Sequence, residues 1–200
     1  MPCFTQGMTL RFHGVLALGL LAAPSAFATT MLALDVAGLS RSADAVVHAK
    51  VGKVTARWTK DGGRIVTDIE LTVVETWKGA PAATLMVMQP GGVVGDIGQR
   101  VDGIASFAPG EEVVVFLEAR GGRYIMAGMA QGRFKVERSS DGQSTYVRQD
   151  QCGELHLLDG VTREPVTQAP LAMPLETLKR QVASTTPSGP APVNAPLVTP

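Results

Sequence analysis

Between Ala45 and Arg148 the chain runs in short apolar stretches, alternating or continuous, each broken by glycine. That rhythm suits strands and offers few places for a helix. Its clearest passage is Ile65, Thr67, Ile69, Leu71 and Val73, alternating with Val66, Asp68, Glu70 and Thr72. One face of such a strand is expected in the core and the other in water. Before it, a strand is predicted over Ala45 to Trp58. Val47, Ala49 and Val51 share a face there until Gly52-Lys53 shifts the phase onto Val54, Ala56 and Trp58. A one-residue phase shift at glycine predicts a β-bulge, which bends a long strand. Lys60-Asp61-Gly62-Gly63 then reads as the hairpin turn.

A third strand is expected from Thr84 to Gln89, ending at Pro90. A fourth, Glu112 to Leu117, is launched by the turn Pro109-Gly110 and is apolar enough to be buried on both faces. Gly121-Gly122 turns into Tyr124 to Met129, and Arg133 to Arg138 pairs with Ser144 to Arg148 across Ser139 to Gly142. Helices are confined to the flanks. One is short and capped by Asp35, and the other carries Leu175, Leu178 and Val182 after Pro174, placed to close one end of a barrel. The expected architecture is mainly β: a small OB-like barrel of five to six strands with a short helix on each flank, a β-sandwich being the alternative.

Residues 1–28 read as a secretory signal peptide. Arg11 supplies the positive start, Gly14 to Ala23 the apolar stretch, and Ala26-Phe27-Ala28 the cleavage site, with Met8 as an alternative start. The apolar stretch is too short to span a bilayer, so no transmembrane anchor is expected after cleavage. The chain is thus expected to be exported, periplasmic or secreted, with residues 29–184 forming one β-barrel domain and residues 185–200 a disordered proline-rich tail. Its 18 Lys and Arg balance 18 Asp and Glu, leaving no basic footprint for nucleic acid.

Candidate chemistry is sparse. The segment Gln89-Pro90-Gly91-Gly92-Val93-Val94-Gly95-Asp96-Ile97-Gly98 has the glycine density of a phosphate loop but neither a following helix nor a Lys-Ser or Lys-Thr pair. It reads instead as a partner-binding loop carried by Gln89, Pro90, Gly91, Gly92, Gly95, Asp96 and Gly98. Replacing Gly91 and Gly92 is expected to weaken capture without unfolding the domain. Signal cleavage discards Cys3 and leaves Cys152 unpaired, and with His156 it offers the alternative of a thiol enzyme. Met86 and Met88, on one face of a strand, offer a second alternative, periplasmic Cu(I) binding with His48 or Trp77. Asp68 and Glu70 read as a solvated strand face, and Ser106 lacks a nucleophile elbow. No catalytic set, cofactor or metal site is expected.

In Ala43 to Val47, Trp77-Lys78-Gly79, Gln89 to Gly92, Phe107 to Glu112, Gly128 to Phe134 and the closing helix, the chain resembles an uncharacterised family of exported bacterial proteins. That resemblance implies no activity. The long first hairpin and its Lys78-Gly79 ending more distantly resemble the netrin-like barrel of tissue metalloprotease inhibitors. Those chelate the protease zinc through an N-terminal cysteine, and Thr29 stands in its place here. The reading that follows is a non-enzymatic exported barrel that binds a protein or other envelope partner through its loops.

Overall fold

In a computed structural model, the described residues are 30–151, 155–166 and 170–185. The expected signal segment 1–28, Cys152 and the expected tail beyond Thr185 lie outside them. The chain is mainly β. β2 (Ala45–Trp58) and β3 (Ile65–Lys78) form a long antiparallel hairpin, and β4 (Thr84–Pro90) pairs with the far edge of β3. β7 (Glu112–Arg120) takes the other edge of β2, and β9 (Arg133–Arg138), β10 (Thr145–Arg148) and β13 (Ala172–Pro174) extend the sheet beyond it.

β8 (Arg123–Met126) pairs antiparallel with the far end of β7 and meets β4 through one parallel pair, Val87 with Tyr124. The main sheet therefore has eight strands where the period-two pattern anticipates five to six, and it does not close as a regular barrel. Two small sheets flank it. β5 (Gly92–Val94) pairs with β6 (Ile97–Gln99), and β1 (Thr30–Leu32) runs parallel to β11 (His156–Leu158), which pairs with β12 (Pro165–Val166).

The anticipated bulge is present: β2 slips against β3 between Val51 and Val54, with further slips at Val46/Val47 and His48/Ala49. β7 is buried on both faces as its composition requires. Val113, Val115 and Leu117 join Val47, Ile69 and Val87 in one core cluster, while Val114 and Phe116 face the other with Phe134 and Val147. This second cluster is covered by the two helices, α1 (Val36–Ser42) and α2 (Leu175–Thr185), through Val36, Leu39, Leu178 and Val182. α2 thus lies with α1 over one face of the β7–β9–β10 region rather than across a barrel end, and it runs one residue into the predicted tail.

Local chemistry sets the helix ends. Asp35 caps α1 by accepting from Gly38 N at 2.6 Å. At its other end Lys78 Nζ donates to the carbonyls of Ser40 at 2.6 Å and Ala43 at 2.7 Å. The Trp77-Lys78-Gly79 motif is therefore structural: a cation satisfies carbonyls that a helix C-terminus leaves unpaired. Among the described residues no helix is long and apolar enough to cross a membrane.

Candidate functional site

The glycine-rich segment is an ordered hairpin whose tip is Gly95-Asp96. Three bonds fasten its base to β3. Gly91 N donates to Ile65 O at 2.8 Å, Thr67 Oγ1 to Gly91 O at 2.7 Å, and Ile65 N to Gln99 Oε1 at 2.9 Å. A Cβ on Gly92 would lie 2.5 Å from Thr67 Oγ1 and 2.9 Å from Ala56 Cβ, at a φ of 132° that side chains rarely adopt. Gly91 is equally confined, its missing Cβ lying 2.8 Å from Gln99 O. These two glycines hold the hairpin against the sheet, so their replacement is no clean test of binding. The tip is open: Gly95, Asp96 and Gly98 are exposed, as are Val93 at 68% and Ile97 at 55%.

Beneath the hairpin lies a cavity of about 290 Å³. Val54 of β2, Ile69 of β3 and Gln89 of β4 form one wall, and Val101, Ile104 and Phe107 of the following loop form the other. Gln89 is only 5% exposed, and its Nε2 has no hydrogen-bond partner. Phe107 also packs on the inner core, so the cavity continues that core outward.

Behind Phe107 is Arg133, whose side chain is 1% exposed and whose guanidinium carbon sits 5.3 Å from the ring centroid. It donates to Asp150 Oδ1 at 2.6 Å and Glu111 Oε2 at 2.9 Å, while its Nε is unpaired. A second, more polar cavity of about 520 Å³ adjoins the first and shares Val101, Ile104 and Ser106 with it. The loop between them is pinned where Gln151 Nε2 donates to Ser106 Oγ at 2.9 Å and Ser106 N donates to Gln151 Oε1.

Sequence reasoning thus located the hairpin and Gln89 but missed Phe107, Val101, Ile104 and Arg133. Arg133 alternates with Lys135 and Glu137 on a strand and looks like a solvated position. The only sequence trace of its burial is the carboxylate of Glu111, placed at the Pro109-Gly110 turn.

The other anticipated groups are scattered. Met86 and Met88 share the outer face of β4, with Met86 exposed. They stand opposite Glu70 and Asp68 on β3, whereas His48 stands opposite Glu75, about 16 Å farther along at roughly 3.3 Å per residue. His48 does approach Trp77, with ring centroids 6.3 Å apart. His156 is exposed on β11, and its proposed partner Cys152 is outside the described residues. Asp68 is paired with Arg57 and with Arg123, the latter at 2.9 Å, as a charged surface network. Among the described residues no three His, Cys, Asp or Glu side chains form a metal-binding group.

His48 Nε2 lies 2.7 Å from Glu112 Oε1, and Arg138 donates to Glu112 Oε2 at 2.6 Å. Burial pushes the Glu112 carboxyl up, but the hydrogen bonds from Arg138 and His48 outweigh it and hold the group below its ordinary value. A carboxyl depressed on folding contributes stability above its unfolded pKa, and that contribution fades as pH falls through the folded value. Glu112→Gln is therefore expected to flatten the acid limb of the stability curve below about pH 4.3. Urea unfolding at a series of pH values checks this, and an unaltered acid limb would contradict it.

No protein-family model matches this chain, and no curated protein matches it either.

Proposed function

We propose that this is an exported, non-enzymatic, OB-like β-barrel protein that binds a partner protein through the hairpin loop at residues 89–98. The observation that carries the reading is the pair of exposed apolar side chains, Val93 and Ile97, on a hairpin bonded firmly to β3. Apolar groups presented on a rigid mount favour association, because little conformational entropy is lost when they are covered. The barrel reading is supported by the succession β7–β2–β3–β4–β8, with β8 returning to β7. Export is supported by Arg11, the apolar stretch after it and Ala26-Phe27-Ala28.

The test is affinity capture from the native envelope and culture medium with the unaltered protein and with Val93→Asp/Ile97→Asp. Both substitutions fall on exposed positions, so melting temperature is expected to change little. A partner retained by the unaltered protein and reduced about tenfold or more by the double variant supports the reading. Equal recovery of every retained protein by both would sink it.

A further inference from the structure

We propose that the bare edge of β2 from Lys53 to Trp58 is a docking site for an extended peptide strand of a partner protein, apolar at alternate residues and acidic at the end near Lys53. The site is separate from the hairpin tip, and it stands if capture at the tip fails. Its starting point is the direction in which the backbone groups of β2 point. Thr59 N donates to Arg64 O at 2.8 Å, and by the two-residue alternation of an antiparallel ladder the next bonds to β3 fall on Arg57 and Thr55. The N–H and C=O groups of Val54, Ala56 and Trp58 therefore point away from β3. On that side β7 pairs with β2 as far as Lys50, and the last bonds are Val51 N to Glu111 O and Gly110 N to Val51 O, both 2.8 Å. Beyond Val51 the outward groups meet no backbone partner among the described residues, and Trp58 O accepts from Arg57 Nη1 at 3.4 Å. An edge of this kind is a template for another strand.

The side chains along the edge set the chemistry of its occupant. Val54, Ala56 and Trp58 share one face, with Trp58 39% exposed, and cross-strand pairing there favours apolar partners. Thr55 and Arg57 share the other face, preceded by the exposed Lys53. Arg57 is committed to Asp68, so Lys53 is the cation that selects an acidic neighbour. A second copy of the chain fits the edge less well. Two-fold pairing about Ala56 would bring both hairpins onto one face of the seam at its axis, because Gly92 sits against Ala56, its missing Cβ lying 2.9 Å from Ala56 Cβ. Moving the centre to Thr55 sets Lys53 against Arg57, and moving it to Arg57 sets that cation against itself. A single strand from another protein meets neither obstacle.

The probe is the hexapeptide Val-Thr-Val-Thr-Val-Glu, acetylated and amidated, which laid antiparallel puts its first Val opposite Trp58 and its Glu beside Lys53. Titrated to about 5 mM into isotopically labelled protein, it is expected to shift the Val54, Ala56 and Trp58 amide signals saturably, with a Kd of about 1 mM, since a short peptide must be ordered as it binds. Hydrogen exchange at those three amides, fast in the free protein, is expected to slow. N-methylation of the second Val blocks an N–H aimed at β2 and is expected to weaken binding about tenfold or more. The same change at the second Thr, whose N–H points to solvent, is expected to leave affinity within about twofold. Lys53→Glu is expected to weaken binding about threefold, and a peptide ending in Lys should recover it. No shift at the three amides, equal effects of the two methylations, or unchanged binding in Lys53→Glu would each overturn the proposal. So would slow exchange at those amides in the free protein that depends on its concentration, the mark of a second copy on the edge. Val93→Asp/Ile97→Asp leaves the edge intact and should bind the hexapeptide normally, so failure here and failure of partner capture are read separately.

Discussion

Gly132→Ala is expected to destabilise the domain by more than about 3 kcal/mol, beyond the usual range for a single added methyl group. Gly132 is buried at the end of a 3-10 turn, Met129–Gly132, that feeds the chain from β8 into β9. A Cβ there would fall inside the van der Waals envelope of Ala127 O, with Phe116 O 3.4 Å away on another side. Both obstacles are backbone, and Phe116 O is already bonded to Ala127 N at 2.9 Å, so neither can rotate aside as a side chain would. The same turn tethers the segment that joins β1 to α1: Gln131 Oε1 accepts from Leu34 N at 2.8 Å while its Nε2 donates to Leu32 O at 3.0 Å. Displacing the turn should therefore loosen β1 as well. Urea unfolding checks the magnitude, and a midpoint equal to that of the unaltered protein would show that the backbone yields at little cost.

Arg133→Met carries the second large effect, a loss of roughly 3–5 kcal/mol. The guanidinium lies between Glu111 and Asp150, with carboxylate side chains 24% and 22% exposed. Removing the cation leaves two half-buried anions facing a space that has lost its positive charge, and it also removes the contact with the Phe107 ring. Most of the loss is attributable to those stranded carboxylates rather than to the ion pairs themselves. The triple variant Arg133→Met/Glu111→Gln/Asp150→Asn should therefore recover much of it. A triple variant no more stable than Arg133→Met would show instead that guanidinium packing carries the energy.

These two positions also show how far the sequence could be read. Segments whose signal is local were legible: the two-residue period of β3, the phase shift at Gly52-Lys53 and the doubly apolar run of β7 report directly on side-chain placement. Asp35 as a cap was equally legible, because the capping bond spans three residues. What escaped depends on distant partners. Nothing near Arg133 announces that Glu111 and Asp150 will meet it, and nothing near Thr30 announces a parallel pairing with His156. The glycine hairpin was located by composition, yet the cavity below it is made jointly by three strands and a separate loop. Period and composition describe one element at a time, whereas a cavity is a property of how several elements meet.

The placement of β7 between β2, β8 and β9 has a consequence for how the chain folds. Synthesis delivers β2, β3 and β4 first, and these can zip into a local meander. The second edge of β2 then stays open until Glu112–Arg120 arrives, and both core clusters lack their central wall, since β7 contributes to each. Docking of this late strand is a long-range pairing, of the kind that slows folding. Until it occurs, the bare backbone of Ala45–Lys50 is the place where two nascent chains would most readily pair with each other instead.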